Sequence, residues 1–241
     1  QKEESKKVFF KSLPTPLDDL VPVIHEHLKN SSVTCLHLEG LTLKPDLMCQ
    51  IIDLFSHAHI QHIYANCAFD FDEPMDMLKF LEFGQVKILT LAVHYCTPTW
   101  NISAEVIERM TDSIGGLTMH ARGKGHSTHY EDYTMVNDDL LYRLVNKSNL
   151  RSLRLLFFCS LVTAKGMYRV FEAMIKRSKS FELCIYMYTN QISQFVRYFG
   201  IKLSIVGFKM KVRCDNYRIF ITRQIHGYTK ISIDTMVNNK G

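Results

Sequence analysis

His57, His59 and His62, with Cys67 close behind, come nearest to a metal-ligand set in this chain. Zinc sites take their ligands from spacings that let side chains converge tetrahedrally. Here a helix is expected to end near His59 and a strand to begin near His62, so the ligands would have to meet across a turn. No metal is expected, and the imidazoles read as polar decoration of a helix C-terminus, where partial positive charge is favoured. The stretch GKGHSTHYED holds Gly, Lys, Ser and Thr, but not in the order of a phosphate-binding loop. No nucleophile elbow, zinc-protease motif or isolated carboxylate pair occurs in the sequence, so the chain reads as a non-enzyme with no cofactor.

Cations offer a second kind of chemistry. Lys209, Lys211 and Arg213 alternate with Phe208, Met210 and Val212, which sets the three on one face of a strand. From Gly200 onward eight basic residues stand against two acidic ones, so this segment carries +6 and the rest of the chain, whose total is +5, is near neutral. Such a patch can hold RNA phosphates or an acidic partner. It can equally be a solvated outer face that discourages edge pairing.

The elements that would position these residues repeat. VTCLHLEGLTL (33–43) has the skeleton apolar-x-x-Leu-x-Leu, which returns as IQHIYA (60–65), VKILTL (86–91), IGGLTM (114–119) and LRSLRL (150–155), with a looser ELCIYM (182–187). Aligning these at 36, 63, 89, 117, 153 and 185 gives intervals of 27, 26, 28, 36 and 32 residues. Spacing in the upper twenties predicts an α/β fold: a leucine-rich-repeat-like solenoid of strand-helix units with a parallel sheet. Helices fit the gaps, opened by Pro45, Pro74, Ser103, Asn137 and Thr163, because proline suits a first turn and Ser, Asn and Thr can cap one. Their apolar faces read as Leu47, Met48, Ile51, Ile52 and Phe55 in the first, and Met77, Leu78 and Leu81 in the second. A sixth helix, poorly delimited, is read at 191–199.

Three regions follow from this pattern: an N-terminal capping helix region at 1–32, strand-helix units at 33–199, and a basic antiparallel β cap at 200–241. In the cap FKMKVRC, RIFITRQI and TKISID alternate with period two, and DNY and HGY supply turns, so a meander is predicted. The segment 121–135 lacks periodicity and reads as an exposed loop.

With Leu36 and Leu38 directed inward, alternation directs the residues between and beside them outward. One predicted row is His37, Tyr64, Thr90, Thr118, Arg154 and Tyr186; a second is Glu39, Asn66, Ala92, His120, Leu156 and Tyr188. Tyrosine and arginine anchor protein interfaces more often than other residues, so these rows are the predicted partner-binding surface. The competing reading is an ordinary solvated face.

Seven cysteines, at 35, 49, 67, 96, 159, 184 and 214, are odd in number and form no Cys-x-x-Cys pair. They read as reduced thiols of a cytoplasmic or nuclear protein. Glycosylation acceptors at Asn30, Asn101 and Asn146 are short enough to arise by chance. No apolar run is long enough for a bilayer and QKEESKK begins no signal peptide, so no membrane association is expected.

FFKSL (9–13), the units at 33–93 and above all LVTAKGMYRVFEAMIKRSKSFELCIYMY (161–188) resemble the FTH region of nematode F-box proteins. MKVRCDNYRIFITRQIHGYTKISID (210–234) is similar to the strand pair that closes such proteins. The resemblance covers most of the chain through spaced apolar positions rather than one motif. It implies the substrate-recruiting part of a Skp1–cullin–F-box ubiquitin ligase adaptor, with a protein target as partner. Skp1 would be reached only through an F-box preceding Gln1. LPTPLDDLVPVI (13–24) begins with the Leu-Pro of an F-box but runs into a repeat at Val33, and is not counted as one.

Overall fold

In an extended chain the two leucines of Leu-x-Leu lie on the same face, so burying both requires a strand with one covered side. The computed structural model describes residues 6–11, 26, 33–56, 58–71, 73–83, 85–96, 103–122, 136–158, 161–199, 209–214, 217–225 and 228–235. The capping helix expected over 17–28 (apart from Glu26), residues 123–135 of the expected loop, His57, Gly84, and the turn residues 215–216 and 226–227 lie outside them. The chain is mixed α/β with mostly parallel strands, and forms two compact units: residues 1–101 with 119–128, and residues 102–118 with 129–241. These boundaries differ from the three regions expected above.

The first unit contains β1 (Lys6–Lys11), β2 (Val33–Leu43), α1 (Pro45–Leu54), β3 (His62–Phe69), a 3-10 helix (Pro74–Leu81) and β4 (Ile88–Cys96). Strands β1 to β4 pair in chain order, all parallel. Leu36 registers with Ile63 and Ile63 with Leu89, and all three are buried, so the aligned aliphatic positions form one continuous row here. Each such side chain contributes about 1.5–3 kcal/mol through burial. At Gly40 the backbone takes φ 69°, a left-handed conformation that glycine adopts without steric cost. It sits where the β2–β3 register slips between Glu39 and Thr42, a bulge that switches which alternate residues turn inward, from Leu36 and Leu38 to Leu43.

Pro45 starts α1 as expected, and the face it buries is Met48, Ile51, Leu54 and Phe55. The segment after Pro74 corrects the sequence reading. It is a 3-10 helix, and Met77, Phe80 and Phe83 are buried rather than the expected Met77, Leu78 and Leu81. Apolar residues spaced by three line one side of a 3-10 helix, whose turn contains three residues.

The second unit contains α2 (Ala104–Ser113), the first residues of β5 (Gly116–Arg122), α3 (Asp138–Asn146), β6 (Ser152–Phe158), α4 (Ala164–Ile175), β7 (Glu182–Tyr188), α5 (Thr189–Arg197), and strands β8 (Lys209–Cys214), β9 (Tyr217–Ile225) and β10 (Tyr228–Thr235). The caps read from sequence are formed. Ser103 Oγ accepts from Val106 N at 3.2 Å, Asn137 Oδ1 from Leu140 N at 2.9 Å, and Thr163 Oγ1 from Gly166 N at 3.0 Å. Each satisfies a backbone donor that the first helical turn leaves open.

Neighbouring helices are tied at their N-termini. Asp138 at the start of α3 accepts from Thr163 N and Thr163 Oγ1 at 2.8 and 2.7 Å, and Gln191 Oε1 of α5 accepts from Ala164 N at 2.8 Å. Gly166 permits the first tie, because any Cβ there would collide with the Asp138 carboxylate. At the opposite ends, Asn149 Nδ2 donates to the carbonyls of Thr111, Asp112 and Ile114, sealing the end of α2. Arg177 donates to the carbonyls of Val145, Lys147 and Leu150 and performs the same task after α3.

Strand β6 runs parallel to β7, which pairs antiparallel with β10, and β10, β9 and β8 form the expected antiparallel meander. Leu153, Leu155, Leu183, Ile185, Ile231, Ile233, Ile219 and Ile221 are buried beneath this sheet. One register differs from the sequence alignment: Leu153 lies opposite Leu183, and Ile185 opposite Leu155.

Candidate protein-docking face

The period of two that buries these aliphatics sends their neighbours to the other side of each strand. In the first unit Phe9, His37, Tyr64 and Thr90 stand in register across β1 to β4, and Glu39, Asn66 and Ala92 form the next row, as the sequence predicts for β2 to β4. Phe9 was not among the predicted residues, because its strand is joined to the sheet only through tertiary pairing. It is 64 % exposed and stacks on His37 at 4.4 Å between ring centroids, while His37 meets Tyr64 at 5.3 Å. Burial first, then Lys7, pushes the His37 imidazole below its ordinary pKa against the pull of Glu39, so the ring is neutral at pH 7. The result is a half-exposed aromatic ladder of Phe9, His37 and Tyr64.

The same strands separate Cys67 from His62. His62 is exposed, whereas Cys67 is buried, hydrogen bonds to the Leu38 carbonyl and has its pKa pushed up by burial to about 11. Alternation places the two on opposite faces of β3. No group of three or more potential metal ligands occurs among the described residues.

In the second unit the outward rows depart from the predicted ones. Arg154 lies opposite Cys184 rather than Tyr186, and Tyr186 lies beside Phe158 and Lys230. Tyr188 is exposed at the end of β7, opposite Tyr228; His120, which belongs to the first unit, is half-buried in β5. Lys209, Lys211 and Arg213 register with Thr222, Phe220 and Arg218. Strands β8 to β10, the first of which carries the predicted basic patch, are continuous with β6 and β7, which carry the predicted partner-binding residues Arg154 and Tyr186. Sequence reading treated them as separate. On β9, Arg218, Phe220 and Thr222 interleave with buried Ile219 and Ile221, an alternation that RIFIT already shows in the sequence.

Two carboxylates sit beside Arg154 and Arg218. Glu182 takes an ion pair from Arg154 at 2.5 Å and a hydrogen bond from Ser152 at 3.2 Å, and it registers with Asp234 on β10. An open depression of about 370 Å³ lies alongside, lined by Ser152, Glu182, Asp234 and Thr235 among others. Burial, then repulsion from Glu182, raises the Asp234 pKa, while Arg218 and Arg154 oppose the shift. An acid whose folded-state pKa is raised costs stability once pH exceeds its unfolded value, and the cost vanishes in acid. Asp234→Asn is therefore expected to raise the urea midpoint at pH 7, and to lose that advantage as pH falls below the ordinary aspartate value of 3.8. Equal gains at pH 7 and pH 3 would contradict the assigned burden.

No described helix is long and apolar enough to cross a membrane. Compared with known proteins, the chain matches no family model, no curated protein and no solved structure.

Proposed function

We propose that the chain is a non-enzymatic protein-recognition domain of leucine-rich-repeat-like strand-helix units. Its outward strand rows dock a protein target, and it serves as the substrate-binding part of a Skp1–cullin–F-box ubiquitin ligase adaptor in the cytoplasm or nucleus. The observation that carries the docking reading is the ladder of Phe9, His37 and Tyr64, in register and half-exposed on parallel strands. Such rings offer large apolar area at little conformational cost, which is what interface anchors supply. The ligase assignment rests on the FTH resemblance, and in it the F-box belongs to sequence upstream of Gln1.

The test uses the full-length protein with its native upstream sequence, purified from cells by affinity tag. Skp1 is expected to co-purify, and a Phe9→Asp/Tyr64→Asp variant is expected to keep Skp1 while losing its other partners. Loss of one such anchor costs about 2 kcal/mol, near thirtyfold in affinity. Absence of Skp1 would overturn the ligase assignment; an unchanged partner set in the variant would overturn the docking row.

A further inference from the structure

Cys49 on α1 and Lys79 on the 3-10 helix lie thirty residues apart in the chain and meet within the first unit. Lys79 Nζ donates to Cys49 Sγ at 3.4 Å, and the contact is exposed. Packing holds both elements in place, because Met48 and Ile51 of α1 and Met77 and Phe80 of the 3-10 helix are buried. Of the four cysteines whose side chains are described, Cys49 alone is exposed, whereas burial pushes the thiols of Cys35, Cys67 and Cys184 up. The solvent-facing thiol is thus the one that touches a lysine. Against a small cost of burial, Cys49, Asp76 and Glu82 push the Lys79 amine above its ordinary pKa, so it waits as the ammonium. A neighbouring ammonium stabilises thiolate charge, and the thiolate is the form that attacks peroxide. The sulfenic acid so formed condenses with a nitrogen held against it. Here the chain supplies both reacting atoms.

We propose that Cys49 and Lys79 form a reversible sulfenamide crosslink when the protein meets hydrogen peroxide. The thiolate sulfur attacks one peroxide oxygen, the O–O bond breaks, and hydroxide departs. That hydroxide takes a proton from the Lys79 ammonium, and the freed amine attacks the sulfenic sulfur, the flexible lysine stem closing the gap. The S–N bond forms as the S–O bond breaks, and the second oxygen leaves as water with a further amine proton. Sulfur gives up two electrons, and the peroxide becomes two waters. Two equivalents of a small thiol reverse the step, restoring thiol and amine and leaving the small thiol as its disulfide. While it lasts, the bond ties α1 covalently to the 3-10 helix.

The test is peptide mass spectrometry, without reductant, of the whole chain after brief exposure to a modest excess of hydrogen peroxide. The peptides containing Cys49 and Lys79 are expected as a linked pair, lighter than their sum by two hydrogen atoms, which dithiothreitol separates. Oxidation in urea, where packing no longer holds the two together, is expected to yield about tenfold less of the pair. Lys79→Arg keeps the cation and removes the free amine, so its sulfenic acid should persist. Dimedone labelling of Cys49 in this variant is expected to exceed that of the unaltered chain about fivefold. A sulfinic acid at Cys49 with no linked pair, linkage of Cys49 to a different lysine, or equal dimedone labelling of the two proteins would overturn the proposal.

Discussion

Gly166→Ala is expected to destabilise the second unit by about 3 kcal/mol, even though alanine is ordinarily the better helix residue by about 1 kcal/mol. A Cβ at this position would stand 1.9 Å from Asp138 Cγ and 2.0 Å from its Oδ1. The carboxylate can withdraw only by releasing Thr163 N and Thr163 Oγ1, held at 2.8 and 2.7 Å. Hydrogen bonds to a charged acceptor contribute roughly 1.5–3 kcal/mol each, so relaxation does not rescue the variant. Urea denaturation measures the loss, and a cycle with Asp138→Ala identifies its source. With the carboxylate gone, the added methyl has room, and the double variant should lose clearly less than the sum of the singles. Strict additivity would show that the collision is not what makes glycine necessary.

Arg177→Ala is expected to cost about 3–5 kcal/mol, among the larger effects a single substitution produces. Its guanidinium donates to Val145 O, to Lys147 O at 3.0 Å and to Leu150 O at 2.6 Å, and lies 4.7 Å from the centre of the Phe181 ring. Three carbonyls at and beyond the end of α3 lose a donor together in the variant. Lysine has a point charge where arginine has a planar fork, so Arg177→Lys should recover less than half of the loss in urea denaturation. Full recovery by lysine would mean that charge alone, and not the forked geometry, closes the helix end. Asn149 holds the corresponding place after α2 with a neutral amide, so its replacement by alanine should cost less.

What could be read from the sequence was local. The Leu-x-Leu pairs and the caps at Ser103, Asn137 and Thr163 depend on residues within one or two turns of each other, and the structure contains them. The meander was legible for the same reason, since strict alternation in RIFITRQI and TKISID leaves little choice of face. Register was harder. Phe181, Leu183, Ile185 and Met187 are all apolar and all buried, so the skeleton fits ELCIYM at more than one position and only pairing with β6 decides. The 3-10 helix was missed because Leu78 and Leu81 imitate an α-helical face beside Met77, although Met77, Phe80 and Phe83 carry the burial. Arg177 and Asn149 gave no signal at all: each lies in a polar run, and its partners are 27 to 38 residues away. The docking ladder was half legible, with His37 and Tyr64 found by parity and Phe9 brought in only by the pairing of β1 with β2.

The central claim is that the outward strand face, not the helical side, meets the partner. A photo-crosslinking amino acid placed at Tyr64 of the full-length protein, and separately at exposed Asp53 on α1, tests it within one unit. Irradiation of living cells is expected to give protein adducts from position 64 that disappear with Phe9→Asp, and none from position 53. Adducts from position 53 with none from position 64 would contradict the account.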